Sequence, residues 1–167
     1  MNDLSQAFLV SFQNSAVALA ALGSGLLLLV GLLTGVWKYL AIMNSEKSRA
    51  PYYVDIAHRA SLMYSFSALV LAVLAGLSVW PPIHNFWAVA ANLIYFIAAI
   101  STYVIHGALR DTSNQLARPH RLGKATLPNI LISGFMWSLI VAEVGGTVVL
   151  LSGATVRLWP VIAQVWS

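Results

Sequence analysis

The sequence contains no cysteine. Disulfides and thiolate metal sites are therefore excluded, and cysteine usage says nothing about redox compartment. Charge is almost as scarce. Nine Lys and Arg and five Asp and Glu make up 8% of the chain, against about 25% in a soluble domain. So few charged side chains cannot cover a water-facing surface. With 59% hydrophobic residues, the chain falls in the integral membrane class. No basic soluble face interleaved with stacking aromatics is present, which argues against a nucleic-acid partner. A nucleophile elbow, a P-loop, a GxGxxG and an HExxH are all missing, so hydrolase and nucleotide-binding readings have no support. There is no internal repeat and no low-complexity segment.

Long apolar runs are what the sequence does have. Four stretches, 16–43, 60–79, 86–105 and 127–151, each hold about 20 or more residues, enough to cross about 30 Å of hydrocarbon at about 1.5 Å per residue. The expected fold is an all-α four-helix transmembrane bundle forming one domain over residues 1–167. Trp80-Pro81-Pro82-Ile83-His84-Asn85 joins the second and third spans; two prolines stop a helix and predict a tight hairpin. Eight of the nine Lys and Arg lie in or beside 38–59 and 110–124. By the positive-inside rule the loops at about 44–56 and 107–126 are cytoplasmic, and both termini and the hairpin lie on the outer side. The expected location is a bacterial inner membrane. The first 15 residues carry no Lys or Arg, so they lack a signal-peptide n-region and the first span is expected to be retained. Residues 155–166, with two Trp and Arg157, read as an outer interfacial segment. In the cytoplasmic loop, Arg118, His120, Arg121 and Lys124 suit anionic lipid; Asp111, Asn114 and Gln115 either cap the third helix or line the mouth of a pocket.

His58 opens the second span and His106 closes the third, so the two lie at similar depth on neighbouring helices. At about 100° per residue, His58, Ser61, Ser65, Ala68, Ala72 and Gly76 share one face of the second helix. Small residues on one face mean close helix packing or a flat cofactor against it. Gly31 and Gly35 form a GxxxG in the first span, read as a helix contact. On the third helix His84, Asn92, Tyr95, Thr102, Tyr103 and His106 form a polar stripe. Polar groups in hydrocarbon need partners, so the stripe should face protein, a cavity or a cofactor. His58 is read as a headgroup-level residue, a hydrogen-bonded structural residue, or a metal or haem ligand. Asp55 either takes the His58 ring N–H or pairs with Arg59. Arg59 is a headgroup anchor or a propionate partner. Glu143, in the body of the fourth span with Asn129, Met136 and Thr147 on its face, is either an interhelix hydrogen bond or a proton-handling group.

Gly35 and Trp37, the pair Ala57-His58, Asn92 followed by Tyr95-Phe96, Asn114-Gln115 and Pro119 occur in that order. Their order and spacing resemble the styrene oxide isomerase superfamily over most of the chain. The resemblance implies a trimer binding haem b between subunits, His58 as axial ligand and metal donor, and ferric iron as Lewis acid. The implied reaction opens a small hydrophobic epoxide to an aldehyde or ketone by a 1,2-hydride shift, the Meinwald rearrangement. Joined to the reading of the helix faces, it gives a candidate cofactor site of His58, Arg59, His106, Asp55, Ser61 and Ser65, and candidate reaction-pocket residues Tyr103, Asn92, Tyr95 and Tyr64. Two departures stand out: Tyr64 where the family has asparagine six residues after the histidine, and Phe96 where it has a positioning tyrosine. Two other readings stand beside it: a bis-histidine haem-b subunit using His58 and His106, and a cofactor-free accessory subunit.

Overall fold

A computed structural model describes residues 14–165. It contains four long helices: α1 Ser15–Met43, α2 Tyr52–Leu77, α3 Pro82–Leu109 and α4 Asn129–Ala163. A two-stranded antiparallel hairpin, β1 Arg121–Leu122 and β2 Ala125–Thr126, lies between α3 and α4 with Arg121 opposite Thr126. All four helices are long and apolar enough to cross a membrane, as expected of an all-α four-helix membrane protein. The readings made on the first 13 residues lie outside the described residues.

Prolines set where the helices begin. Pro51, Pro81 and Pro128 each stand immediately before a helix, and Pro82 occupies the first position of α3, where its missing N–H costs nothing. Asn14 caps α1, its side chain accepting from Ala16 N–H at 3.0 Å. α3 stops at Arg110, whose left-handed φ of 52° turns the chain back while its N–H still reaches the His106 carbonyl at 2.8 Å.

Hydropathy located the helices but not their ends. α2 begins at Tyr52 rather than Ala60, because its amphipathic opening turns, with Asp55, His58 and Arg59, are helical too. α3 likewise extends past 86–105 at both ends. The largest extension is at 155–163. Residues 155–163 continue α4 without a break, through Pro160; Trp166 lies outside the described residues. Nothing near residue 151 stops the helix, and Gly153 packs against Ser78 and Trp80. At about 1.5 Å per residue such a helix is about 50 Å long, more than the hydrocarbon needs.

The core runs along Ala16, Ala20 and Leu27 of α1, Ala68, Leu71 and Ala75 of α2, Val89, Leu93 and Phe96 of α3, and Leu150 of α4. Packing is most extensive between α1 and α2, where small residues allow close approach. A Cβ on Gly31 would sit 2.6 Å from Leu62 Cδ2, and one on Gly35 would sit 2.9 Å from His58 Cε1. The GxxxG is thus a helix contact, as expected. α4 is bound most loosely; its only buried residues are Leu150, Gly153 and Ala154. At the α2–α3 hairpin, Trp80 Nε1–H donates to Ser152 Oγ at 3.0 Å. The opposite end carries the α1–α2 loop and the 110–128 cap, and with them most of the basic residues.

Candidate functional site

Two seams and one capped end hold the polar groups. The first seam lies between α1 and α2. The half-buried His58 directs Nδ1 to the Gly31 carbonyl, 2.9 Å away. A carbonyl oxygen can only accept, so Nδ1 carries the hydrogen. In the neutral ring Nε2 is then left with its lone pair, the arrangement of a metal-ligating histidine whose other nitrogen is tied down. Thr34 Oγ1 donates to the same carbonyl at 3.0 Å, using its second lone pair.

The residues around His58 do other work than a cofactor contact set implies. Asp55 does not take the His58 ring N–H. It pairs with Lys38 Nζ at 2.6 Å and Arg59 Nη2 at 2.9 Å, so the Arg59 alternative holds and Lys38 joins it. Arg59 itself is 65% exposed. Ser61 and Ser65 are buried in the core of the bundle. Ser61 Oγ–H returns to the Ala57 carbonyl at 2.7 Å, and the Ser65 carbonyl accepts from Ser24 Oγ at 2.8 Å. Their assignment to a cofactor contact is corrected to close helix packing: the face they share leaves no slot for a flat group.

The α3 stripe divides into three destinations. Asn92 is 1% exposed; its Nδ2 donates to the Ala88 carbonyl at 2.9 Å, and its Oδ1 accepts from Thr147 Oγ1 at 3.4 Å. Tyr95 turns toward Phe135 of α4, with ring centroids 5.9 Å apart. Tyr103 stacks on Tyr53 at 6.0 Å, and His106 lies 5.2 Å from the same Tyr53 ring. His84, at the start of α3, is exposed at the hairpin end. Tyr103, His106, Asn92 and Tyr95, expected to line the distal or a neighbouring pocket, thus divide among separate surroundings. Each imidazole has its own setting, His58 against α1 and His106 against Tyr53 and the cap.

The second seam, between α2, α3 and α4, contains a cavity of about 320 Å³. Tyr64, Asn92, Phe96, Glu143 and Thr147 line it. Tyr64 stacks on Phe96 with centroids 4.3 Å apart. Glu143 Oε1 is buried with no hydrogen-bond partner. An unpartnered carboxyl oxygen in hydrocarbon is costly, which marks Glu143 as the polar outlier of this seam. Two of the expected reaction-pocket residues, Tyr64 and Asn92, do come together here, with Glu143 and Thr147. Asn129 is exposed and Met136 lies along a different cavity.

The capped end surrounds His106. Its Nδ1–H donates to Asp111 Oδ1 at 2.8 Å, while Gly123 N–H donates to Asp111 Oδ2 at 2.5 Å. Burial raises the Asp111 pKa, but the Gly123 N–H and the His106 ring outweigh it and hold the carboxyl below its ordinary range. Gln115 N–H donates to Tyr53 Oη at 2.6 Å, tying the loop to α2. Lys38 and Tyr53 were the residues sequence reading missed. An interfacial Lys and a Tyr pair at a helix start were the available signals. Comparison with family models, with curated proteins and with solved structures finds no match to this chain.

Proposed function

We propose that this chain is a haem-b membrane isomerase in which His58 is the axial ligand. Its substrate is a small hydrophobic epoxide entering from the bilayer, and its product the isomeric aldehyde or ketone. The observation that supports this most is the His58 Nδ1–H bond to the Gly31 carbonyl at 2.9 Å. It fixes the ring and reserves Nε2 as a donor, as a haem-ligating histidine requires. The donor therefore fits the group. Ser61 and Ser65 are buried in the core of the bundle, so on this reading His58 would hold the group without them.

When bound, haem supplies a Lewis-acidic iron for the epoxide oxygen. The chain's own residues hold Nε2 in place, keep water out with apolar helices, and offer hydroxyl and amide groups from Tyr64, Asn92 and Thr147. The reaction is an isomerisation: one C–O bond breaks, a hydride shifts to the adjacent carbon and a C=O bond forms, with no co-reactant. Tyr64 sits about 120° from His58 around α2, so one chain's ligand and its own seam cavity look in different directions. The resemblance implies a trimer, in which a closed ring of copies would bring one chain's His58 to its neighbour's cavity. On this reading the basic end faces the cytoplasm of a bacterial inner membrane.

The test is an absorption spectrum of detergent-purified protein, expressed with haem supplied, beside turnover of a small aryl epoxide. A high-spin Soret band lost in His58→Ala, with aldehyde formation lost alongside it, is the expected result. A six-coordinate low-spin band without turnover would replace this reading by the bis-histidine subunit, and a colourless protein by the accessory subunit.

A further inference from the structure

The end of α1, the α1–α2 turn and Arg110 at the end of α3 enclose a cleft of about 570 Å³ at the basic end of the bundle. Lys47, Arg49 and Arg110 line it, and Asn44 and Ser45 add an amide and a hydroxyl. The rest of the wall, Trp37, Leu40 and Pro51 among it, is apolar, and no carboxylate takes part. Glu46 stands in the same turn but is exposed and lies outside the lining. Among the described residues, none of the three cations is ion-paired. Lys38 and Arg59 differ in this respect, because Asp55 takes both. Three cations around one cleft, with no carboxylate to neutralise them, focus a positive field on the space between them.

The backbone brings the three cations together. Ser48, between Lys47 and Arg49, and Arg110 itself are the two non-glycine residues with positive φ among the described residues, at 50° and 52°. Such conformations are uncommon outside glycine, and both turn the chain where it borders the cleft. Ser45 N–H on the Ile42 carbonyl at 3.1 Å and Ser48 N–H on the Ser45 carbonyl at 2.9 Å fasten the α1–α2 turn. Trp37 is held against α3, where a Cβ on Gly107 would sit 3.1 Å from its Cη2. We propose that this cleft binds one anionic phospholipid, its phosphate among Lys47, Arg49 and Arg110 and its glycerol end against Trp37 and Leu40. Basic pockets at the ends of membrane helices take such headgroups through charge-assisted hydrogen bonds. Two features favour a lipid over a free phosphate ion. The apolar wall offers nothing to a fully hydrated ion. The cleft, at about 570 Å³, is also several times the bulk of a phosphate, which matches a few waters of about 30 Å³ each. Arg118, Arg121 and Lys124 do not line it, so the site is distinct from the general attraction of that loop for anionic lipid. His58 does not line it either, and the inference is independent of haem.

Three probes separate the possibilities: phosphatidylglycerol, the zwitterionic phosphatidylcholine and water-soluble glycerol 3-phosphate. Each is titrated into full-length protein in detergent, and bound molecules are counted by native mass spectrometry. One phosphatidylglycerol per chain is expected to bind saturably, about tenfold or more tighter than either other probe. Lys47→Gln with Arg49→Gln should weaken it about tenfold or more. Arg110→Asn, which keeps a residue type that tolerates the left-handed φ, should weaken it about fivefold from the other side of the cleft. A triple variant of the cap loop, Arg118→Gln, Arg121→Gln and Lys124→Gln, should leave that affinity unchanged. Equal binding of the two lipids would overturn the proposal, and so would glycerol 3-phosphate binding as tightly as phosphatidylglycerol, which would make this a soluble phosphate site. A loss in the cap-loop variant as large as in the cleft variants, meaning diffuse attraction to the basic loops, or full affinity in both cleft variants would overturn it too.

Discussion

His58 and His106 sit near the same end of the bundle, and each gives its Nδ1–H to an oxygen. They differ in what holds that oxygen. For His58 it is the Gly31 carbonyl, fixed by two helices packed through glycines, and the ring is half-buried between α1 and α2. For His106 it is the Asp111 carboxylate, on a loop fastened by Gly123 and Tyr53, and the ring is buried beneath that loop. The same imidazole tautomer is thus held by a helix backbone in one place and by a loop carboxylate in the other. A backbone carbonyl offers a fixed acceptor that no pH change removes; a carboxylate offers a stronger one that acid can take away.

The most decisive way to break the comparison is to delete each ring. His58→Ala is expected to remove haem absorbance entirely, while His106→Ala retains it; spectra of the two purified variants decide. Loss of the band in both would mean the rings serve one centre, contrary to their separate settings. Gly35→Ala comes next. Its Cβ would meet the His58 ring at 2.9 Å, and the ring, wedged between two helices, has little room to yield. Overpacking of this kind costs about 1–3 kcal/mol. A lower thermal midpoint in detergent together with a shifted Soret maximum is expected; a change in stability alone would say the ring is structural.

The sequence showed the helices and not their register. Twenty-odd apolar residues announce a span whatever it packs against, so α1, α3 and the body of α4 were legible. Their ends were not, because interfacial turns rich in Tyr, Asp and Arg are helical without being hydrophobic. The partner of His58 was invisible for another reason: every residue has a carbonyl, and only the rotation of α1 against α2 selects that of Gly31. Asp111, expected to cap the third helix or line the mouth of a pocket, instead accepts from His106 and Gly123, since Arg110 in the left-handed region swings it back under His106. Tyr64, about 120° from His58 around α2, faces Phe96 and the Glu143 cavity. That Glu143 of α4 meets this flank depends on how α4 docks, which hydropathy does not encode.

Asp111 sharpens the acid side of the comparison. Its folded pKa lies below the ordinary 3.8. A depressed carboxylate adds stability that is fully present above about pH 4 and is lost as pH falls through the folded value. Exchange protection of the Gly123 amide should therefore fall on acidification through that range. In Asp111→Asn the fall should vanish and protection at neutral pH should drop by about 1–3 kcal/mol. A wild-type profile that stayed flat would mean that the cap does not depend on this carboxylate.

The smallest effect is expected at Asp55, where the comparison can be tested by what does not change. Lys38, Asp55 and Arg59 link α1 to α2 close to His58. Asp55 and Lys38 are each about a third exposed, and Arg59 more so. Ion pairs with that much water contact contribute about 0.2–1 kcal/mol and weaken with salt. Asp55→Asn should lower the thermal midpoint slightly at low salt and hardly at all at high salt. It should leave the Soret maximum where it was, because the Gly31 carbonyl, not this carboxylate, holds Nδ1. A spectral shift in Asp55→Asn would make His58 a carboxylate-supported ring after all, and the contrast with His106 would disappear.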